Sequence, residues 1–379
     1  MRLSKNLNLN VHGARGLFAF AVFIYHVINS GLPTYPVQSG SWVETYLLYS
    51  LKFGVELFFG ISGVVIVGAL VRAPSIRAFV WDRATRIYPV LWISLLAITG
   101  MALLFGLWRP SLIGWLMNFA APPPFIHIPQ INPAAWSLGY EITFYALCAA
   151  AWYLRSKGMR WWLAAAIVVG AVLLAYFPRA ILMVAGVAIA ANLIPEGLRR
   201  RLGAAPLLCL LAFLLCWRAI ELGSGGYMIE LTPAHLPFIQ WAMMLPLLLG
   251  AGLLGGMALL GIVDGRGLLS MMLRTRPMLW LGTVSYSFYL WHPVVMAGIK
   301  AIMQKSGLVA MAGEHSQLLF AIFSLPPTLI VAHFSQVYLE ERLTRWLRRR
   351  GPEKSAAHAP VTASVEFTDD GQVALDRAG

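Results

Sequence analysis

The sequence predicts an all-α polytopic membrane protein of about ten transmembrane helices with both termini cytoplasmic, and three observations predict it. First, 59% of the 379 residues are hydrophobic and 12% charged, with a mean hydropathy of +0.70, where a soluble domain carries roughly 25% charged residues. Second, five of the 16 acidic residues (Glu353, Glu366, Asp369, Asp370 and Asp376) fall in the last 29 positions, so almost everything upstream of Gly351 has to sit in an apolar medium. Third, runs such as 164–176 and 245–260 are apolar on every face, which suits spanning helices and excludes a barrel built from alternating segments of about ten residues. A water-soluble globular protein is excluded.

Apolar stretches bounded by Pro, Gly or charge give the elements in order. Residues 13–30 form a retained first helix, because the run holds His26 and no small-residue cleavage pattern follows it. Stretches 54–70 and 88–107 come next, on either side of an arginine-rich connection. Trp108 to Ala135, with Pro122, Pro123, Pro124, Pro129 and Pro133, is the longest extracytoplasmic connection and leads into 136–154. Pro178 and Arg179 separate 161–177 from 180–194, and 204–222, 239–262, 279–303 and 317–339 complete the set. In this arrangement 23 of the 29 Lys and Arg residues fall on the inside, leaving Lys52, Arg109, Arg179, Arg218, Lys300 and Lys305 outside or within spans. That bias orients the chain and accounts for the net charge of +13 without nucleic acid. No internal repeat of the kind that pairs transporter halves is visible. Residues 1–345 then form one membrane domain, and 346–379 a polar, disordered cytoplasmic tail with no core of its own. Cys148, Cys209 and Cys216 lie in apolar runs and suggest neither a disulfide framework nor a metal site.

Ionisable groups inside spans are costly and mark function or pairing. Arg15 and His26 lie eleven residues apart, close to three helical turns, so they share one face about 16 Å apart; His26 reads either as a structural hydrogen-bonder or as a proton acceptor. Glu56, in Phe53-Gly54-Val55-Glu56-Leu57-Phe58-Phe59-Gly60-Ile61-Ser62-Gly63, needs a basic partner on a neighbouring helix, while Gly60, Ser62 and Gly63 read as a close-packing face. Arg83 and Arg86, three residues apart, either clamp a phosphate or diphosphate or only obey the charge bias. Trp136 and Tyr145 read as interfacial anchors, and Glu141, five residues into its helix, is placed toward the outer side. His292 precedes Pro293, which frees backbone carbonyls. Asp264, Glu340 and Glu341 read as loop or terminus charges.

Taken together, five segments resemble the integral-membrane acyltransferase family 3, which includes bacterial acetylases of O-antigen, peptidoglycan, exopolysaccharide and Nod factors. They are Arg15 with His26; Glu56 to Gly63; Arg83 with Arg86; Trp136 to Tyr145; and Ser285 to Pro293 with Tyr286 and His292. Here Glu141 stands alone where many relatives carry two adjacent glutamates. The resemblance implies a bacterial inner-membrane enzyme with a cytoplasmic acyl-CoA donor, most often acetyl-CoA, an extracytoplasmic saccharide or lipid-linked saccharide acceptor, and no metal. It implies that Arg83, Arg86 and Arg15 meet the donor phosphates. His26 acts as general base or acyl carrier, Glu141 orients or charge-stabilises His26 or positions the sugar, and Glu56, Ser62, Trp136, Tyr145, Tyr286 and His292 support the site. The rivals are a proton-coupled transporter or flippase with His26, Glu56 and Glu141 as relay, and an acyltransferase acting on a lipid or small metabolite.

Overall fold

The computed structural model describes residues 8–33, 40–106, 111–126, 128–224 and 238–351, and every regular element among them is helical. Each of the ten expected apolar stretches coincides with a helix. In chain order these are α1 (Leu9–Ile28), α2 (Gly54–Arg72), α3 (Ile76–Phe105), α5 (Trp136–Ser156), α6 (Arg160–Tyr176), α7 (Ile181–Ala190), α9 (Pro206–Gly223), α10 (Phe238–Val263), α12 (Arg276–Lys305) and α14 (Ser316–Ser335). Short helices α4 (Leu112–Ala120), α8 (Glu196–Leu202), α11 (Gly267–Leu273), α13 (Leu308–Ala312) and α15 (Thr344–Arg349) join them.

By length and apolarity six described runs suffice to cross a membrane, or seven if α6 and α7 make one broken span. The two meet at 114° across Pro178, and α7, ten residues long, extends only about 15 Å, half of a hydrocarbon core. The stretch 180–194 is therefore not a crossing by itself. Helices α5 and α12 stand outside the six because they carry Ser137, Glu141, Thr143, Ser285, Ser287 and His292 into the bundle.

Three expected boundaries shift. Helix α3 starts at Ile76 rather than 88, because the Ser75 hydroxyl caps it by accepting from Ala78 N at 3.2 Å; Arg83 and Arg86 thus stand within a helix rather than in a connection. The Pro-rich connection contains α4, and its irregular part folds back into the bundle. Helix continues past 345, where Trp81 Nε1 donates to Leu347 O at 3.2 Å and Arg348 pairs with Asp82 at 2.7 Å; residues 352–379 lie outside the described ones.

Helices α1 and α12 run parallel, with Gly16 beside Gly282, His26 beside His292 and Ser30 beside Lys300, and small residues set the closest approaches. A Cβ on Gly63 would stand 2.1 Å from Met183 O, and one on Gly186 2.1 Å from Gly60 O. The Gly60–Gly63 face is thus a packing face for α7, where backbones touch because nothing projects between them. We expect Gly186→Ala to force α2 and α7 apart at a cost of about 1–3 kcal/mol, read as a lowered unfolding temperature in detergent. Gly170→Ala on α6, where a Cβ meets nothing within 4 Å, is the control and should not destabilise; equal melting of the two variants would contradict the close-packing account.

Candidate active site

Polar side chains gather at two depths. At the first, the two histidines meet: His292 Nε2 lies 3.4 Å from His26 Nδ1, with ring centroids 4.9 Å apart. His26 Nδ1 also stands 2.8 Å from Val22 O, one turn back on α1. A carbonyl oxygen only accepts, so Nδ1 carries the proton and Nε2 holds the lone pair. His292 Nδ1 faces Phe288 O at 3.3 Å in the same manner, which leaves its Nε2 as a second acceptor for His26 Nδ1–H. Both imidazoles are therefore held in one tautomer by their own helices. His292 is fully buried and His26 half-buried.

Between the depths stands Tyr289, its ring 5.9 Å from that of His292 and its hydroxyl 3.0 Å from Ser137 Oγ. Beside it, Glu56 is closed from solvent and paired with Arg179, whose Nε and Nη2 lie 2.5 Å from Glu56 Oε1. The Arg179 guanidinium stacks on Trp136 at 4.1 Å. Arg179 is the basic partner that Glu56 demanded, supplied by the α6–α7 break.

At the second depth, Ser62 Oγ donates to Glu141 Oε1 at 3.0 Å and the Tyr145 hydroxyl donates to the same oxygen. Arg15 is in electrostatic range of Arg86, Glu340 and Glu141. Arg83 Cζ lies 5.9 Å from the Phe79 and Tyr145 rings, and the Tyr286 hydroxyl donates to Ile87 O at 2.7 Å. Glu340 Oε1 accepts from Ser287 Oγ at 2.6 Å and from Ser287 N at 3.1 Å.

Two expectations change. Glu141 keeps company with the arginines rather than with His26, whose ring partner is His292. The reason is that residues 128–135 enter the bundle before α5 begins, so α5 starts deep and Glu141 lies deeper still. Asn132 Nδ2 donates to Ser94 Oγ (3.1 Å) and Leu290 O (2.9 Å), near the middle of α3 and α12, and Asn118 ties Pro129 O and Ile131 N, both at 3.0 Å. These amides satisfy irregular backbone inside an apolar bundle. Glu340, read as a terminus charge, instead belongs to the Arg15–Arg86 group. It lies in a π-helical turn, Gln336–Leu343, whose extra residue per turn re-aims side chains in a way hydropathy does not register. Among the described residues no cluster of His, Cys, Asp and Glu could hold a metal.

The sequence profile described as an acyltransferase domain, that of acyltransferase family 3, matches residues 8–334 and so takes in the polar groups at both depths except Glu340. The chain belongs to this family. Among curated proteins, acyltransferase MdmB of Streptomyces mycarofaciens is 32% identical over 173 residues, which is 41% of this chain and 42% of that protein. No solved structure matches. The chain therefore carries its family segments on helices that meet in one bundle.

Removing one partner of a buried ion pair leaves the other charge uncompensated, at about 3–5 kcal/mol. Arg179→Leu should accordingly lose most folded protein in detergent extracts, and Glu56→Leu added to it should restore a large part. If the double variant is no better than the single one, the pair is not what makes Arg179→Leu fail.

Proposed function

We propose that this membrane acyltransferase moves an acyl group, acetyl in the first instance, from cytoplasmic acyl-CoA to a hydroxyl of an extracytoplasmic or lipid-linked saccharide, with His26 as general base. The observation that carries the reading is the 2.8 Å contact between His26 Nδ1 and Val22 O, which leaves Nε2 as the free base. Nε2 takes the proton of the acceptor hydroxyl as its oxygen attacks the thioester carbon. The C–S bond then breaks, and the thiolate leaves with the proton returned from Nε2. Proton and electron pair balance without a metal.

The division of polar groups supports the two ends of this reaction. Arg83, Arg86 and Arg15 gather where the basic connections lie, the side expected to face acyl-CoA, and Arg forks suit phosphate oxygens. Glu141, with Ser62 and Tyr145, then orders that arginine group rather than the base. His292 gives His26 Nδ1–H a second acceptor beside Val22 O, and the Glu56–Arg179 pair on Trp136 fixes the wall between the two depths. Tyr286 anchors α12 to α3 beside the arginines. A lipid-linked acceptor gains support from an apolar cavity of about 230 Å³ that runs beside Pro293, between Ile98, Met101, Ile131 and Pro133.

The test is transfer of labelled acetyl from acetyl-CoA in membranes holding equal amounts of each variant. Label should leave CoA in the wild type, fall at least a hundredfold in His26→Ala, as loss of a general base costs about 10²–10⁴, and show a raised KM with Arg83→Ala plus Arg86→Ala. A His26→Ala variant as active as the wild type would remove His26 as the base. A wild type inert toward a panel of acyl-CoA donors would remove the acyl-CoA reading altogether.

A further inference from the structure

Helix α15 brings a third guanidinium to the arginine pair. Asp82 lies between two of them: Arg83 Nη2 sits 2.6 Å from its Oδ2 and Arg348 Nη2 2.7 Å from its Oδ1. Arg86 is in electrostatic range of both Asp82 and Arg348. Asp82 thus pairs directly with two of the three cations, and with Glu141 in range of Arg83 and Glu340 in range of Arg86, the group that also holds Arg15 sets four guanidinium groups against three carboxylates.

The hydrogen bonding is incomplete as well. Arg83 Nε and Arg348 Nε are both buried without an acceptor, although an unmet buried donor costs about 1–3 kcal/mol. Each guanidinium spends one nitrogen on Asp82, while 14% and 27% of the Arg83 and Arg348 side chains remain accessible. Such unsatisfied forks at a partly open position fit an anion with several oxygens.

The position of Arg348 is fixed independently of Asp82. Thr344 Oγ1 donates to Thr85 O at 2.9 Å, and Trp81 Nε1 reaches Leu347 O at 3.2 Å, so two further bonds seat α15 against α3. Residue 348 lies beyond the stretch 8–334 that the family profile matches, and its role is not contained in the family segments.

We propose that Arg348 joins Arg83 and Arg86 in a three-guanidinium cradle for a diphosphate, the diphosphate of the nucleotide-bearing acyl donor. The donor's identity rests on the reading above; the cradle rests on the geometry. The diphosphate meets a group that keeps a net positive charge, and its oxygens accept from the unspent guanidinium donors, Arg83 Nε and Arg348 Nε among them. Asp82 preorganises two of the forks and is itself a local repulsion that the ligand overcomes.

The experiment is calorimetric binding of coenzyme A to the purified full-length protein in detergent, with inorganic pyrophosphate as competitor and the unfolding temperature of each variant as a check on folding. We expect Arg348→Ala to raise Kd about tenfold to a hundredfold, the span of a lost charge-assisted hydrogen bond, Arg348→Lys to fall between, and pyrophosphate to displace coenzyme A from the wild type. Asp82→Asn separates a ligand-binding role from a mere tether of α15. A cradle freed of its carboxylate binds coenzyme A as tightly or more tightly, whereas a tether that is cut weakens binding as Arg348→Ala does. Unchanged Kd in Arg348→Ala, weakened binding in Asp82→Asn, or displacement only by short-chain phosphatidic acid overturns the cradle. If acetyl transfer proceeds with an unaltered KM in Arg348→Ala, the cradle fails and the acyltransferase mechanism stands. If pyrophosphate binds through Arg348 in a protein that turns over no acyl-CoA, the diphosphate cradle stands and the donor assignment fails.

Discussion

A carboxylate closed inside an apolar bundle has to be paired, and the Glu56–Arg179 ion pair is the constraint on which the surrounding structure depends. It fixes the α6–α7 break, because Arg179 sits on the short 3₁₀ turn between them and can reach Glu56 only if α7 turns back along α2. That return brings Gly186 against Gly60 and Gly63, where bare backbone lets the two helices touch. Trp136 closes the arrangement by laying its ring over the guanidinium, which sets where α5 begins. Loss of the pair would therefore undo a helix break, a packing face and the start of another helix together.

The placement of α5 follows from a second accounting of polar groups. Residues 128–135 have no helix to satisfy their backbone, yet they lie among α3 and α12. Asn118 and Asn132 take up that duty with their amides, and Asn132 is wholly buried in doing so. Because the chain is already deep when α5 starts, Glu141 arrives beside Arg15 and Ser62 instead of beside His26. One inserted segment thus decides which carboxylate serves which cation.

Helix α12 links the two depths. Tyr286 and Ser287 work among the arginine and Glu340 groups, Tyr289 reaches Ser137, and His292 meets His26, all within two turns of a single helix. Its parallel packing on α1 through Gly16 and Gly282, whose Cβ atoms would clash with the facing backbone, holds Arg15 and His26 in register with the same two levels. Under the function proposed above, binding a phosphorylated donor at one level and activating a hydroxyl at the other asks only for a ligand long enough to span them.

The sequence by itself determined the all-helical membrane class, the ten apolar stretches and the family, because hydropathy and the rarity of charge in apolar runs are local properties of the chain. It also demanded a partner for Glu56 without naming it. Only the tertiary structure decided that Arg179 is that partner, that His292 and not Glu141 stands beside His26, that Glu340 faces inward, that 180–194 is too short to cross, and that Arg348 returns to Arg83. Each of these turns on a break, an inserted loop or a π-helical turn that changes depth or direction by a few ångströms. Such changes are set by which buried donors and acceptors must meet across the bundle, and that is a property of the packed helices together rather than of any one segment.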